Sequence, residues 1–206
     1  MKICIVDTET TIDNTVADFG AVVADLTTGE ILDEIGCLIY DQFDEIELWS
    51  NPHANKGDFW SRQHTRARRK QYVRRIKNGQ RSIASENLVN VWLAKNVGRY
   101  NPTLTAYNLA FDKPKCDTTG INVGMFRKEF CLLKKAREHF SQCADFVAWC
   151  HKRNALTKTG KPSFTADNVA RFILGDALDP EPHTALEDAR DYELPIAKYL
   201  YERDAL

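Results

Sequence analysis

The chain of 206 residues is 43% hydrophobic with a formal net charge of −1, which fits one globular domain, residues 1–206, with room for a full core. No apolar run approaches the roughly 20 residues that span a bilayer. No basic stretch followed by an apolar one opens the chain, so a secretion signal is not expected and a cytoplasmic protein without membrane contact is. The six cysteines form no C-x-x-C pair, and Cys4 and Cys37 fall inside apolar runs, as expected of reduced cysteines used as small hydrophobes.

The near-zero net charge hides an asymmetry. Residues 1–60 contain thirteen Asp or Glu and only two Lys or Arg, whereas Ser61 to Arg81 holds nine Lys or Arg and no acid. An acidic region beside a dense basic block points to a polyanionic substrate whose reacting phosphate sits on cations.

Ile3-Cys4-Ile5-Val6 reads as a strand buried on both faces, and Asp7 and Glu9 stand where it runs out. Residues i and i+2 of an extended segment point to the same side. Two carboxylates held that close repel each other and call for a divalent cation; the alternative is a polar turn with two solvated acids. Phe19 to Ala24 predicts a second strand, Thr27 to Glu30 a hairpin turn with glycine, and Ile31 to Tyr40 a third strand. Residues 41–81 read as an insertion-like basic segment, irregular over 41–60. From Ser61 to Lys77 a basic helix with a thin apolar stripe is expected. It is either a solvated surface or a phosphate-tracking element, in which Arg68, Arg69, Arg74 and Arg75 meet phosphates and Phe59, Trp60 or Tyr72 offers a stacking face. A homodimer or protein-partner surface over 41–81 is a third possibility.

Ser85 is placed to cap an amphipathic helix running to Val97. Thr103 to Tyr107 predicts a fourth strand, ending in Asn108-Leu109-Ala110-Phe111-Asp112, which sets a third acid near a strand end. Phe130 to Leu133 is compatible with a fifth strand. Helices are expected over Ala144–Lys152, over Thr165–Leu174 with Gly175 stopping it, and from about Thr184 toward Tyr201. Pro195 should kink the last near Asp191. Cys131, His139, Cys143, Cys150 and His151 are candidates for zinc, but Cys143 and Cys150 beside Phe146 and Val147 suit a core better.

His183 and Asp188, five apart, would diverge by about 140° on a regular helix. Thr184-x-x-Glu187, however, has the form of a capping box. With Thr184 as the N-cap, His183 precedes the helix and Asp188 lies in its first turn, the two positions that meet in a hydrophobic staple. Pro180 and Pro182 keep the approach non-helical.

Asp7-Thr8-Glu9, Asn108-x-x-Phe111-Asp112 and His183-x-Ala185-x-x-Asp188 occur in this order over almost the whole chain. Together they resemble the three motifs of the DEDD superfamily, the DnaQ-like 3′–5′ exonucleases, in the histidine-containing DEDDh branch. The freestanding form also looks like single-domain exonucleases of bacteriophages and bacteria. The resemblance implies an RNase H-like α/β fold: a mixed five-stranded sheet, the first three strands antiparallel, flanked by helices. It implies Asp7, Glu9, Asp112 and Asp188 as ligands of two Mg²⁺ or Mn²⁺ ions, His183 as general base, and Thr8 and Asn108 near the terminal nucleotide. The implied substrate is the 3′ end of DNA or RNA, expected to be single-stranded. An inactive nucleic-acid-binding or partner-binding module on the same fold is the rival. Pro114, close after Asp112, departs from the pattern unless it sits in a first helical turn.

Overall fold

The computed structural model describes residues 1–11, 13–45 and 69–206. Strands β1 (Lys2–Thr10), β2 (Val16–Asp25) and β3 (Glu30–Ile39) follow one another as antiparallel neighbours. Asn14, at φ 66°, turns the chain between β1 and β2, and Gly29, at φ 76°, between β2 and β3. A short helix α1 (Tyr40–Glu45) follows β3, and residues 69–77 are helical (α2). The expected basic helix is therefore described from residue 69 onward. Its first residues, Arg68 included, and the aromatic candidates Phe59 and Trp60 lie outside the described residues.

The sheet has six strands in the order β4-β3-β2-β1-β5-β6, not five. The strand that the sequence hides is β4 (Ser82–Ala84), parallel to β3. It is three residues long and has one large apolar side chain, so no alternation reveals it. On the other side, β5 (Thr103–Ala106) runs parallel to β1, and β6 (Glu129–Cys131) parallel to β5. The run Phe130 to Leu133 is thus divided: Leu132 opens helix α5 (Leu132–Phe140), whose buried Leu132, Ala136 and Phe140 repeat every four residues.

Helix α3 (Glu86–Tyr100) begins at Ser85, whose Oγ accepts the Leu88 N–H at 3.3 Å. Helix α4 (Leu109–Thr119) carries Pro114 at its sixth residue rather than in its first turn. Helices α6 (Ala144–Arg153) and α7 (Ala166–Leu174) follow; Thr165 caps α7, and Gly175 ends it at φ 102°. The last helical stretch has three parts: α8 (Ala185–Glu187), a π turn (Asp188–Glu193) and α9 (Leu194–Tyr201).

Two cores lie on opposite faces of the sheet, and β1 feeds both by alternation. Ile3 and Ile5 join Val22, Phe140, Phe146, Val169 and Ile196. Cys4 and Val6 join Phe19, Val89, Leu93, Leu104 and Cys116 on the other side. The parity carries past the apolar run: Asp7 and Glu9 extend the row of Ile3 and Ile5, and Thr8 extends that of Cys4 and Val6. Cys150 packs in the first core, and His139 stacks edge-on against Phe140 and Tyr199. Among the described residues no helix is long and apolar enough to cross a membrane.

Candidate active site

Glu9, His183 and Asp188 each offer one ligand atom, and these atoms lie within 4.8 Å of one another. Residues some 180 positions apart thus converge at the C-terminal end of β1. The close approach of α8 to the sheet makes this possible. Gly20 on β2 has no side chain, and a Cβ there would overlap the backbone of Ala185 and Leu186. Without that contact, Asp188 would stand farther from β1. His183 is exposed and adopts φ 54°, a left-handed backbone that few non-glycine residues take. Such strain persists only where the surroundings hold it.

The holding group comes from the middle of the sheet. Thr184 precedes α8, but its hydroxyl makes no capping bond. Asp18 of β2 supplies the cap, with Oδ2 accepting the Ala185 N–H at 3.0 Å. The same oxygen accepts from Tyr72 Oη at 3.0 Å and from Arg81 Nη2 at 3.3 Å. Glu187, expected to fold back on Thr184, meets the Thr184 side chain and also receives Arg81 Nη2 at 2.5 Å and Arg75 Nη1 at 2.7 Å. The local cap is therefore joined to a long-range network. The physical reason is Arg81, 3% exposed. A buried guanidinium needs carboxylates, a stronger requirement than a local cap worth about 1 kcal/mol.

Asp112 lies in the first turn of α4 and is 4% exposed. Thr8, on the opposite side of β1 from Asp7, donates from Oγ1 to Asp112 Oδ1 at 2.8 Å. Burial lifts the Asp112 pKa to about 7, against the Thr8 bond, which lowers it. Asp7 is raised well above the ordinary carboxylate range, first by burial and then by the charges of Glu193, Asp112, Asp188 and Glu9, in that order. A cavity of about 390 Å³ opens beside Asp7 and Asp112, with Asn108, Phe111, Glu181 and Glu193 among its lining residues. Glu181 is raised to about 7, by burial and then by Asp167.

The structure thus gathers Asp7, Glu9, Asp112, His183 and Asp188 and sets Thr8 and Asn108 beside them. It separates the arginines. Arg69 and Arg74 line an open cleft of about 610 Å³ with Lys70, Val73 and Lys77, whereas Arg75 turns to Glu187. Sequence reasoning missed Asp18, Arg81 and Glu193. A signal for the first existed: Asp18 is a lone acid in the run Val16-Ala17-Asp18-Phe19. A signal for the last was Pro195.

The donor set fits hard divalent cations. It is carboxylate oxygen with one imidazole, and burial first, then the repulsion among its acids, lifts the Asp7 pKa. Sheet order, strand-end acids and the histidine-bearing helix start together define the RNase H-like α/β fold of the DEDDh nuclease domains. The likeness to particular proteins is one of structure. The nuclease domain of 3′hExo, a DEDDh family member bound to rAMP, matches with a TM-score of 0.55 at 16% identity, over 99% of this chain and 93% of that one. A full-length 3′-exonuclease matches at 0.58 and 14%, over 99% of this chain and 61% of that one. A 3′-exonuclease in 3′-end specific recognition of a histone mRNA stem-loop matches at 0.56 and 14%, over 99% and 83%. No family model and no curated protein matches the sequence.

Proposed function

We propose that the chain is a divalent-metal-dependent 3′–5′ exonuclease that releases nucleoside 5′-monophosphates from the 3′ end of a nucleic acid. The observation that carries this reading is the convergence of Glu9, His183 and Asp188 within 4.8 Å, beside Asp7 and Asp112. Similarity to nuclease domains supports it, including one bound to rAMP.

Asp7, Glu9, Asp112 and Asp188 would hold two Mg²⁺ or Mn²⁺ ions. Such ions, when bound, polarise the scissile phosphodiester and lower the pKa of a water. The chain's own part is positional and acid–base. Thr8 holds Asp112 Oδ1 by its hydroxyl. Asp18 anchors the start of α8 through the Ala185 N–H, which fixes His183 and Asp188 relative to β1. His183 is exposed, and its imidazole nitrogen would accept the proton of an attacking water. Asn108 and Phe111 line the adjoining cavity and are the nearest candidates to meet the terminal nucleotide. Arg69 and Arg74 would meet phosphates of the strand farther out, with counterion release supplying affinity.

A panel of 5′-end-labelled DNA and RNA oligonucleotides, with Mg²⁺, with chelator and with Asp188→Asn, tests the reading. A ladder shortening from the 3′ end, mononucleotide product and loss of both with chelator are expected. Tight binding without hydrolysis would replace this reading with a binding module; internal fragments would replace it with an endonuclease.

A further inference from the structure

Glu193 belongs to none of the three motifs, yet it stands inside the acidic cup. Its position follows from the backbone. Pro195 has no N–H to give to the carbonyl of Asp191, four residues back, and its ring clashes with that carbonyl. The helix responds by widening, and the Leu194 N–H bonds the Ala189 carbonyl, an i to i+5 closure. In a regular α-helix, Asp188 and Glu193 would diverge by about 140°. In a π turn, residue i+5 returns almost above residue i, so Glu193 faces the way Asp188 does.

Three observations place the side chain. Glu193 is 2% exposed, and its Oε2 accepts the Tyr107 N–H at 3.1 Å, at the end of β5. It lines the cavity together with Asp7 and Asp112. Among the described residues, no ion pair supplies a cation for Glu193.

We infer that Glu193 is a metal-positioning residue of this chain, a fifth carboxylate whose charge strengthens divalent-ion binding at Asp7 while its Oε2 holds the β5 end in place. This rests on the proposed metal centre and adds to its ligand set a group that the turn at Pro195 delivers. Replacing a supporting group around a bound metal typically weakens affinity by about ten- to a hundredfold.

The test is calorimetric titration of Mn²⁺ alone into the full chain at neutral pH, without nucleic acid, for wild type, Glu193→Gln, Glu193→Asp and Asp7→Asn. Glu193→Gln keeps an oxygen for the Tyr107 N–H and removes the charge. It should weaken Mn²⁺ binding about tenfold or more, with no loss of melting temperature in chelator. Glu193→Asp keeps the charge and should stay within about threefold of wild type. Unchanged affinity in Glu193→Gln, or equal loss in Glu193→Asp, would leave Glu193 a structural acid and overturn the inference while the metal centre stands. If wild type and Asp7→Asn alike bind no Mn²⁺, the metal centre falls and this inference with it.

Discussion

Asp112→Asn should make the metal-free protein more stable while abolishing its proposed activity. In the folded chain the Asp112 pKa is lifted from 3.8 to about 7, by burial above all, and a lift of that size corresponds to about 4 kcal/mol. At pH 4 the folded carboxyl keeps its proton, roughly half of the unfolded population does too, and little is lost. As pH rises toward 7 the unfolded state gives up its proton first. The folded state then binds more protons than the unfolded state, so stability falls with pH across that window. Above pH 7 the whole cost is present. Asparagine cannot ionise, and its Oδ1 still accepts from the Thr8 hydroxyl, which meets Asp112 Oδ1 at 2.8 Å in the parent. In chelator at pH 8 the variant should therefore gain up to about 4 kcal/mol, with the gain shrinking to less than about 1 kcal/mol near pH 4. Urea unfolding at both pH values, with equal m-values, measures it. Destabilisation of the variant at pH 8 would mean that the cup is not held together against its own charge, and the case for a cation centre would lose its electrostatic basis.

Four further outcomes follow from the same geometry. His183→Ala should reduce turnover by about 10²–10⁴-fold in a nucleotide-release assay, with circular dichroism and melting unchanged because the side chain is exposed. Gly20→Ala should cost about 1–3 kcal/mol and lower activity together, since its methyl must push Ala185 and Leu186 off the sheet; guanidinium unfolding and the same assay read both. Arg75→Ala, which breaks the pair with Glu187 at 2.7 Å, should lower stability by about 1–2 kcal/mol and leave the slope of log affinity against log salt unchanged. Neutralising Arg69 and Arg74 together should flatten that slope.

Much of this arrangement was legible in the residues. β1 and β2 announce themselves by apolar runs and β5 by the short alternation Thr103-Leu104-Thr105-Ala106, and the acids at or just past the ends of β1 and β5 mark the site. What escaped was set by partners distant in sequence. Thr184-x-x-Glu187 is a sound local pattern, but a carboxylate from residue 18 takes the cap and a guanidinium arriving from residue 81 shares Glu187. α5 was concealed because only Leu132, Ala136 and Phe140 face inward, while Phe130-Cys131-Leu132-Leu133 reads as a strand. Pro195 predicts a disturbance near Asp191, and one is there. That the helix would relieve it by widening rather than bending depends on packing against the sheet, which no local rule specifies.

The sheet closes on both sides with strands of only three residues, β4 and β6. A long, flat border of free amide and carbonyl groups would invite a neighbouring chain to zip onto it, the usual route to fibres and tangled aggregates. Here β4 and β6 are too brief to template such growth, and β4 covers only Cys37 to Ile39 of β3. Among the described residues, the longer border is residues 30–36 of β3, where Glu30, Asp33 and Glu34 set like charges against a second copy and oppose runaway sheet extension.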